Sequence, residues 1–136
     1  MLSLLLLGCK PDPVASPDPV DIDLVTPLSE GEVRAGVITD EAALFGGISA
    51  EGQPGDIKLY NSRAQFVIQA AKPSSFYVEY GGSIIDADAV RPAGQPGRDI
   101  IDDLGVMAGL GRLMNATRVT VLNDGTSGEP AVVLAE

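Results

Sequence analysis

Sixteen glycines and ten prolines are distributed through 136 residues, and this punctuation is the strongest single constraint on the fold. Glycine supplies left-handed turn geometry and proline fixes φ, so a chain broken this often favours short strands joined by turns over long helices. The length is enough for one modest domain. Tryptophan is absent and aromatics make up 4% of the chain, so its core must be built on Val, Ile, Leu and Ala.

The stretches between the breaks carry period-two patterning. Glu32-Val33-Arg34-Ala35-Gly36-Val37-Ile38 alternates before Thr39-Asp40-Glu41. Asp56-Ile57-Lys58-Leu59-Tyr60 alternates, turns at Asn61-Ser62-Arg63, and is followed by the apolar run Ala64-Gln65-Phe66-Val67-Ile68-Gln69-Ala70. These two form an expected hairpin, with Leu59 and Phe66 as core positions. Ser75-Phe76-Tyr77-Val78-Glu79-Tyr80 and Ser83-Ile84-Ile85-Asp86 follow as two further extended segments. Near the C-terminus, Thr117-Arg118-Val119-Thr120-Val121-Leu122 and Ala131-Val132-Val133-Leu134 flank Asn-Asp-Gly-Thr-Ser-Gly-Glu-Pro, the pattern of a looped hairpin. Residues 99–115 could form a short helix, but three glycines in that window argue for irregular structure. The tetrapeptide Gly-Gln-Pro-Gly occurs at 52–55 and at 94–97, which turn chemistry alone accounts for. The sum is an all-β, antiparallel, sandwich-like domain over residues 30–136. A strand that runs to Leu134 beside Glu136 raises the expectation of truncation at the C-terminus.

Nine Lys and Arg stand against nineteen Asp and Glu, a formal net charge of −10. That balance repels a phosphate backbone, so nucleic acid is not an expected partner, and it is read as a solubilising surface. Histidine is absent and there is one cysteine. Together these remove Ser-His-Asp and Cys-His catalysis, imidazole metal sites, thiolate zinc clusters and intrachain disulfides. No cofactor is expected.

Met1 to Gly8 reads Met-Leu-Ser-Leu-Leu-Leu-Leu-Gly and runs directly into Cys9. It is too short to span a bilayer, which takes about 20 apolar residues. It is also short for a signal peptide and lacks a preceding basic residue, as though the start were truncated. Leu6-Leu7-Gly8-Cys9 resembles the lipobox of bacterial lipoproteins. That resemblance implies a signal peptide at residues 1–8, acylation of Cys9, and a membrane partner reached through its acyl chains, at about 0.8 kcal/mol per buried CH₂. From Lys10, Pro-Asp-Pro-Val occurs twice, six residues apart. Residues 9–29 therefore read as a solvated, disordered Pro/Asp-rich tether of polyproline type.

The domain also carries a family resemblance. Residues 56–68 resemble a "GDY-x-L-x-NDRVRFVI" segment, residues 81–88 resemble "GGNLIDAD", and residues 119–133 resemble "VEVVNDGSDGGPAVV". These segments are similar to the N-terminal β-domain of large exported bacterial lipoproteins, some with a downstream PHP-type metallohydrolase domain. The β-domain is also similar, more distantly, to the sugar-binding supersandwich class, which would make it an incomplete supersandwich. The resemblance implies a non-catalytic leading domain in the bacterial cell envelope, because the chain holds none of the histidines the hydrolase needs.

The remaining chemistry rests on carboxylates and aromatics. Asp86 and Asp88 lie two apart, so on a strand they share a face. With Asp99, Asp102 and Asp103 they are candidates for an oxygen-only calcium site, as is Asp124 in its Asn-Asp-Gly turn. Ordinary turn capping explains the same residues. Tyr60, Phe76, Tyr77 and Tyr80 could present a sugar-stacking face. Two function classes follow: a structural or binding module with a carbohydrate or protein ligand, or a carbohydrate-active enzyme of epimerase or hydrolase type working through carboxylates alone. The sequence singles out no catalytic residue and favours the module.

Overall fold

The computed structural model describes residues 21–73, 78, 81–109 and 111–136. The expected signal peptide, Cys9, most of the tether and all but Val78 of the strand expected at 75–80 lie outside the described residues.

The fold is all-β and antiparallel. β1 (Val33–Val37), β2 (Ile57–Asn61), β3 (Ala64–Ile68) and β4 (Ile84–Ala89) form a four-stranded meander in that order. β5 (Met107–Ala108) pairs with β6 (Arg112–Leu113), and β7 (Val119–Asn123) pairs with β8 (Val132–Ala135). Among the described residues the only helical element is a 3-10 turn at Glu41–Ala43, capped by the Asp40 carboxylate, which accepts from the Ala42 amide at 2.9 Å. The glycines of the 99–115 window accordingly break any helix: Gly109 and Gly111 both have positive φ and turn β5 into β6.

The β2–β3 hairpin forms as its sequence indicates, with Asn61 Oδ1 accepting from the amides of Arg63 and Ala64 to close the turn. Its register corrects one detail. Leu59 sits opposite Phe66, but both are only half-buried. The principal core cluster lies on the other face, where Tyr60 and Val67 join Leu24, Ile38, Ala43 and Ile85. Alternation assigns two faces but does not say which one the rest of the chain will cover.

A second correction concerns the tether. Leu24 is buried in the core, and Ile22 and Leu28 pack against it. The domain therefore begins near residue 22 rather than 30, and residues 22–28 form a strap across the sheet. Asp21-Ile22-Asp23-Leu24 already alternates, a signal masked by the neighbouring prolines.

Both outer edges of the meander are occupied. The Ala35 amide on β1 donates to the Asp124 carbonyl at 2.9 Å, seating the turn of the β7–β8 hairpin on that edge. Gly125 makes this approach possible: its φ is +82°, and a Cβ there would run into the Val33 carbonyl. On β4, Ile84 and Leu104 exchange backbone bonds of 3.1 and 2.8 Å, and the Ala87 amide donates to Asp99 Oδ1. Residues that would otherwise template aggregation are thus satisfied within the chain.

Candidate functional site

The sheet face that carries Tyr60 also carries Lys58 and Gln65, since directly opposed residues share a face: Lys58 faces Val67, and Tyr60 faces Gln65. Three irregular segments rise around it. They are the strap at Val25 and Pro27, the loop 42–47, and the loop 90–97 that contains the second Gly-Gln-Pro-Gly. The half-open cleft measures about 730 Å³, within the range of roughly 300–1,000 Å³ that suits small organic ligands. Its apolar lining includes Phe45, Leu44, Val90 and the prolines, and its charged lining is Lys58 and Arg91. Among the described residues no Asp or Glu lines it, in a chain with nineteen of them.

Each wall is tied by a charged or phenolic side chain. Lys58 is 5% exposed, and its Nζ donates to the carbonyls of Leu24 at 2.9 Å and Ala43 at 2.7 Å. It therefore joins the strap and the 3-10 turn to the sheet. The ammonium also sits 4.7 Å from the centroid of the Tyr60 ring, a cation–π arrangement. Burial lowers the Lys58 pKa to about 8, and Asp23 opposes the shift. The Tyr60 hydroxyl donates to the Thr26 carbonyl at 3.0 Å, and burial raises its pKa.

The loop 90–97 hangs on Asp88. Arg91 Nε and Nη2 donate to the two Asp88 oxygens at 2.9 and 2.7 Å, and the Arg98 amide donates to Asp88 Oδ2 at 2.8 Å. The Arg91 side-chain bonds hold the Asp88 pKa down at about 2. Loop 42–47 hangs on Asp99, which is fully buried: its backbone amide donates to the Gly46 carbonyl, and its carbonyl accepts from the amides of Ile48 and Ser49. Gly97 packs so close to Gly46 that a Cβ would collide with the Gly46 carbonyl oxygen.

Other carboxylates do similar structural work. Both oxygens of Asp86 accept backbone amides, from Glu51 at 2.8 Å and Gly52 at 2.9 Å. Asp56 accepts from the amides of Gln53 and Ala70 and pairs with Lys72 at 2.8 Å. Asp103 accepts from the Val78 amide and the Ser83 hydroxyl. Burial raises the Asp86 pKa against those two amide bonds; burial and then the Asp86 charge raise that of Glu51. Asp124 holds its own turn, accepting from the Thr126 amide and hydroxyl, whose side-chain bond lowers its pKa. The acidity read from composition as surface solubility is therefore partly internal, with Asp56, Asp86 and Asp99 in the buried set.

The calcium candidates Asp86, Asp88 and Asp124 are not brought together. Among the described residues no group of three or more His, Cys, Asp or Glu is placed to hold a metal ion. Asp86 and Asp88 serve different loops, and Asp124 serves the distant β7–β8 turn. Of the aromatic candidates, Tyr60 is core and also lines the cleft, while Phe76, Tyr77 and Tyr80 lie outside the described residues. Lys58, Gln65, Arg91 and Phe45 were not distinguished by the sequence as site residues. Lys58 at an alternating inward position of an otherwise apolar strand was the available signal. No family model matches the chain, and neither curated proteins nor solved structures give a match.

Proposed function

We infer that this chain is a non-catalytic, lipid-anchored module of a bacterial cell envelope, with a structural or binding role, and the leading domain of a longer polypeptide. The observation that carries the reading is Leu6-Leu7-Gly8-Cys9 followed at once by a Pro/Asp tract, an acylation signal and a spacer ahead of a β-domain. The non-catalytic part is supported by how the carboxylates are used. Asp56, Asp86, Asp88 and Asp103 each accept bonds that fix loops to the sheet, so the carboxylate-only enzyme gains no support from their arrangement. The leading-domain part is supported by the β7–β8 hairpin, which leaves Leu122, Val132 and Leu134 exposed. An apolar strip of that kind is a surface for further packing.

Expression of the wild type and Cys9→Ser in a lipoprotein-processing bacterium tests the anchor. Detergent-dependent recovery of the wild type from membranes, with the variant in the soluble fraction, is the expected result. Identical fractionation of the two would overturn the anchor.

A further inference from the structure

We propose that the cleft between strap, loop 42–47 and loop 90–97 binds a small organic carboxylate with a compact apolar or ring body. This extends the binding half of the preceding reading and makes no use of Cys9, so either can fail alone.

The argument begins with charge segregation. Carboxylates outnumber cations about two to one in this chain, yet among the described residues the cleft has Lys58 and Arg91 in its lining and no Asp or Glu. A random patch of such a surface would be acidic. The acidic groups nearest it are engaged: Asp88, opposite Gln65 on the same sheet face, is paired with Arg91, and Asp99 accepts the Ala87 amide of β4. Arg91 uses Nε and Nη2 on Asp88, which leaves Nη1 without an acceptor among the described residues. Lys58 has acceptors for two of its three donors. The Gln65 amide, without a hydrogen-bond partner among the described residues, lies in the same lining and adds one donor group and one acceptor.

The rest of the lining sets the body of the ligand. Phe45, Val25, Val90 and three prolines give ring and aliphatic surface rather than a second ring of polar groups. A hydrated inorganic anion would leave that surface wet, whereas a carboxylate on a ring or short aliphatic frame matches both parts. Asp88, Asp99 and Lys58 fix the three walls, so the cleft is formed before any ligand arrives, which lowers the ordering cost of binding.

The full chain, labelled with ¹⁵N, is titrated with sodium phenylacetate, with phenylacetamide and sodium phosphate as comparators. Phenylacetate is expected to shift the amides of Phe45, Gly47, Gly94 and Gly97 and the Gln65 side-chain amide in a saturable way. Phenylacetamide should bind about tenfold more weakly, the loss of one charge-assisted bond, and phosphate should leave these signals in place. Arg91→Gln should weaken phenylacetate by about tenfold and leave phenylacetamide unchanged. Asp88 keeps the Arg98 amide donor in that variant, which still ties the end of the loop to β4. Lys58→Met is a second probe, but it also removes the tie to the strap. The proposal is overturned by any of four results: no saturable shift, equal affinity for acid and amide, the same shifts from phosphate alone, or wild-type affinity in Arg91→Gln.

Discussion

Raising the pH from 8 to 10.5 should stabilise this domain through Lys58. In the folded chain burial lowers its pKa from 10.5 to about 8. Below pH 8 the ammonium is charged in both folded and unfolded states, and the folded state bears its desolvation. Between the two pKa values the unfolded chain binds the proton and the folded chain does not, so stability rises with pH. At about 1.4 kcal/mol for each pH unit between them, the full gain is about 3 kcal/mol. Other groups act in the same range: the raised Tyr60 pKa makes its contribution fall once the pH passes 10.0. The quantity to measure is therefore the difference between wild type and Lys58→Met, from urea unfolding at half-unit steps over this range. The wild type should gain about 2–3 kcal/mol on the variant. A difference that stays flat, or falls, would refute the desolvated ammonium.

Three further outcomes follow from the internal carboxylates and the loop contacts. Asp56→Ala leaves the amides of Gln53 and Ala70 without their acceptor, while Lys72 stays open to solvent; it should cost about 2–4 kcal/mol in urea unfolding. Carboxyl titration by NMR should place Asp23 and Asp88 near pH 2, held there chiefly by bonds from Thr26 and Arg91. Their contribution is present above 3.8 and is lost as the pH falls toward 2, whereas Asp86 and Glu51 should titrate above 3.8 and 4.5, and their contribution is lost as the pH rises past those values. Gly97→Ala should destabilise the chain by about 1–3 kcal/mol, because the methyl group must displace the Gly46 carbonyl, and unchanged urea unfolding would show that the two loops do not meet.

The parts of this fold that were legible in the sequence are those set by local chemistry. Alternation in 57–61 and 64–68, with Asn61 at the turn, determines a hairpin because the period fixes the faces and the turn fixes the register. The same holds for β7 and β8 around their Gly-containing loop. What was hidden depends on contacts between distant segments. The Lys58 carbonyl acceptors lie 34 and 15 residues away, and the Asp86 donors 35 and 34 residues away. No periodicity encodes such pairs, so Asp86 and Asp88 resembled metal ligands when their partners were backbone amides and an arginine. The two Gly-Gln-Pro-Gly segments make the same point. Positive φ falls on Gly55, last in the first copy, and on Gly94, first in the second. Identical residues thus serve different turns, and only the second copy lines the cleft.

Intact-mass spectrometry of the protein extracted with detergent from a lipoprotein-processing bacterium tests the central claim most directly. For the 136-residue chain expressed there, the predicted mass is that of residues 9–136 plus the acyl and glyceryl groups on Cys9. A chain that retains residues 1–8, or one that begins at Cys9 without acyl chains, would contradict the lipid-anchored reading.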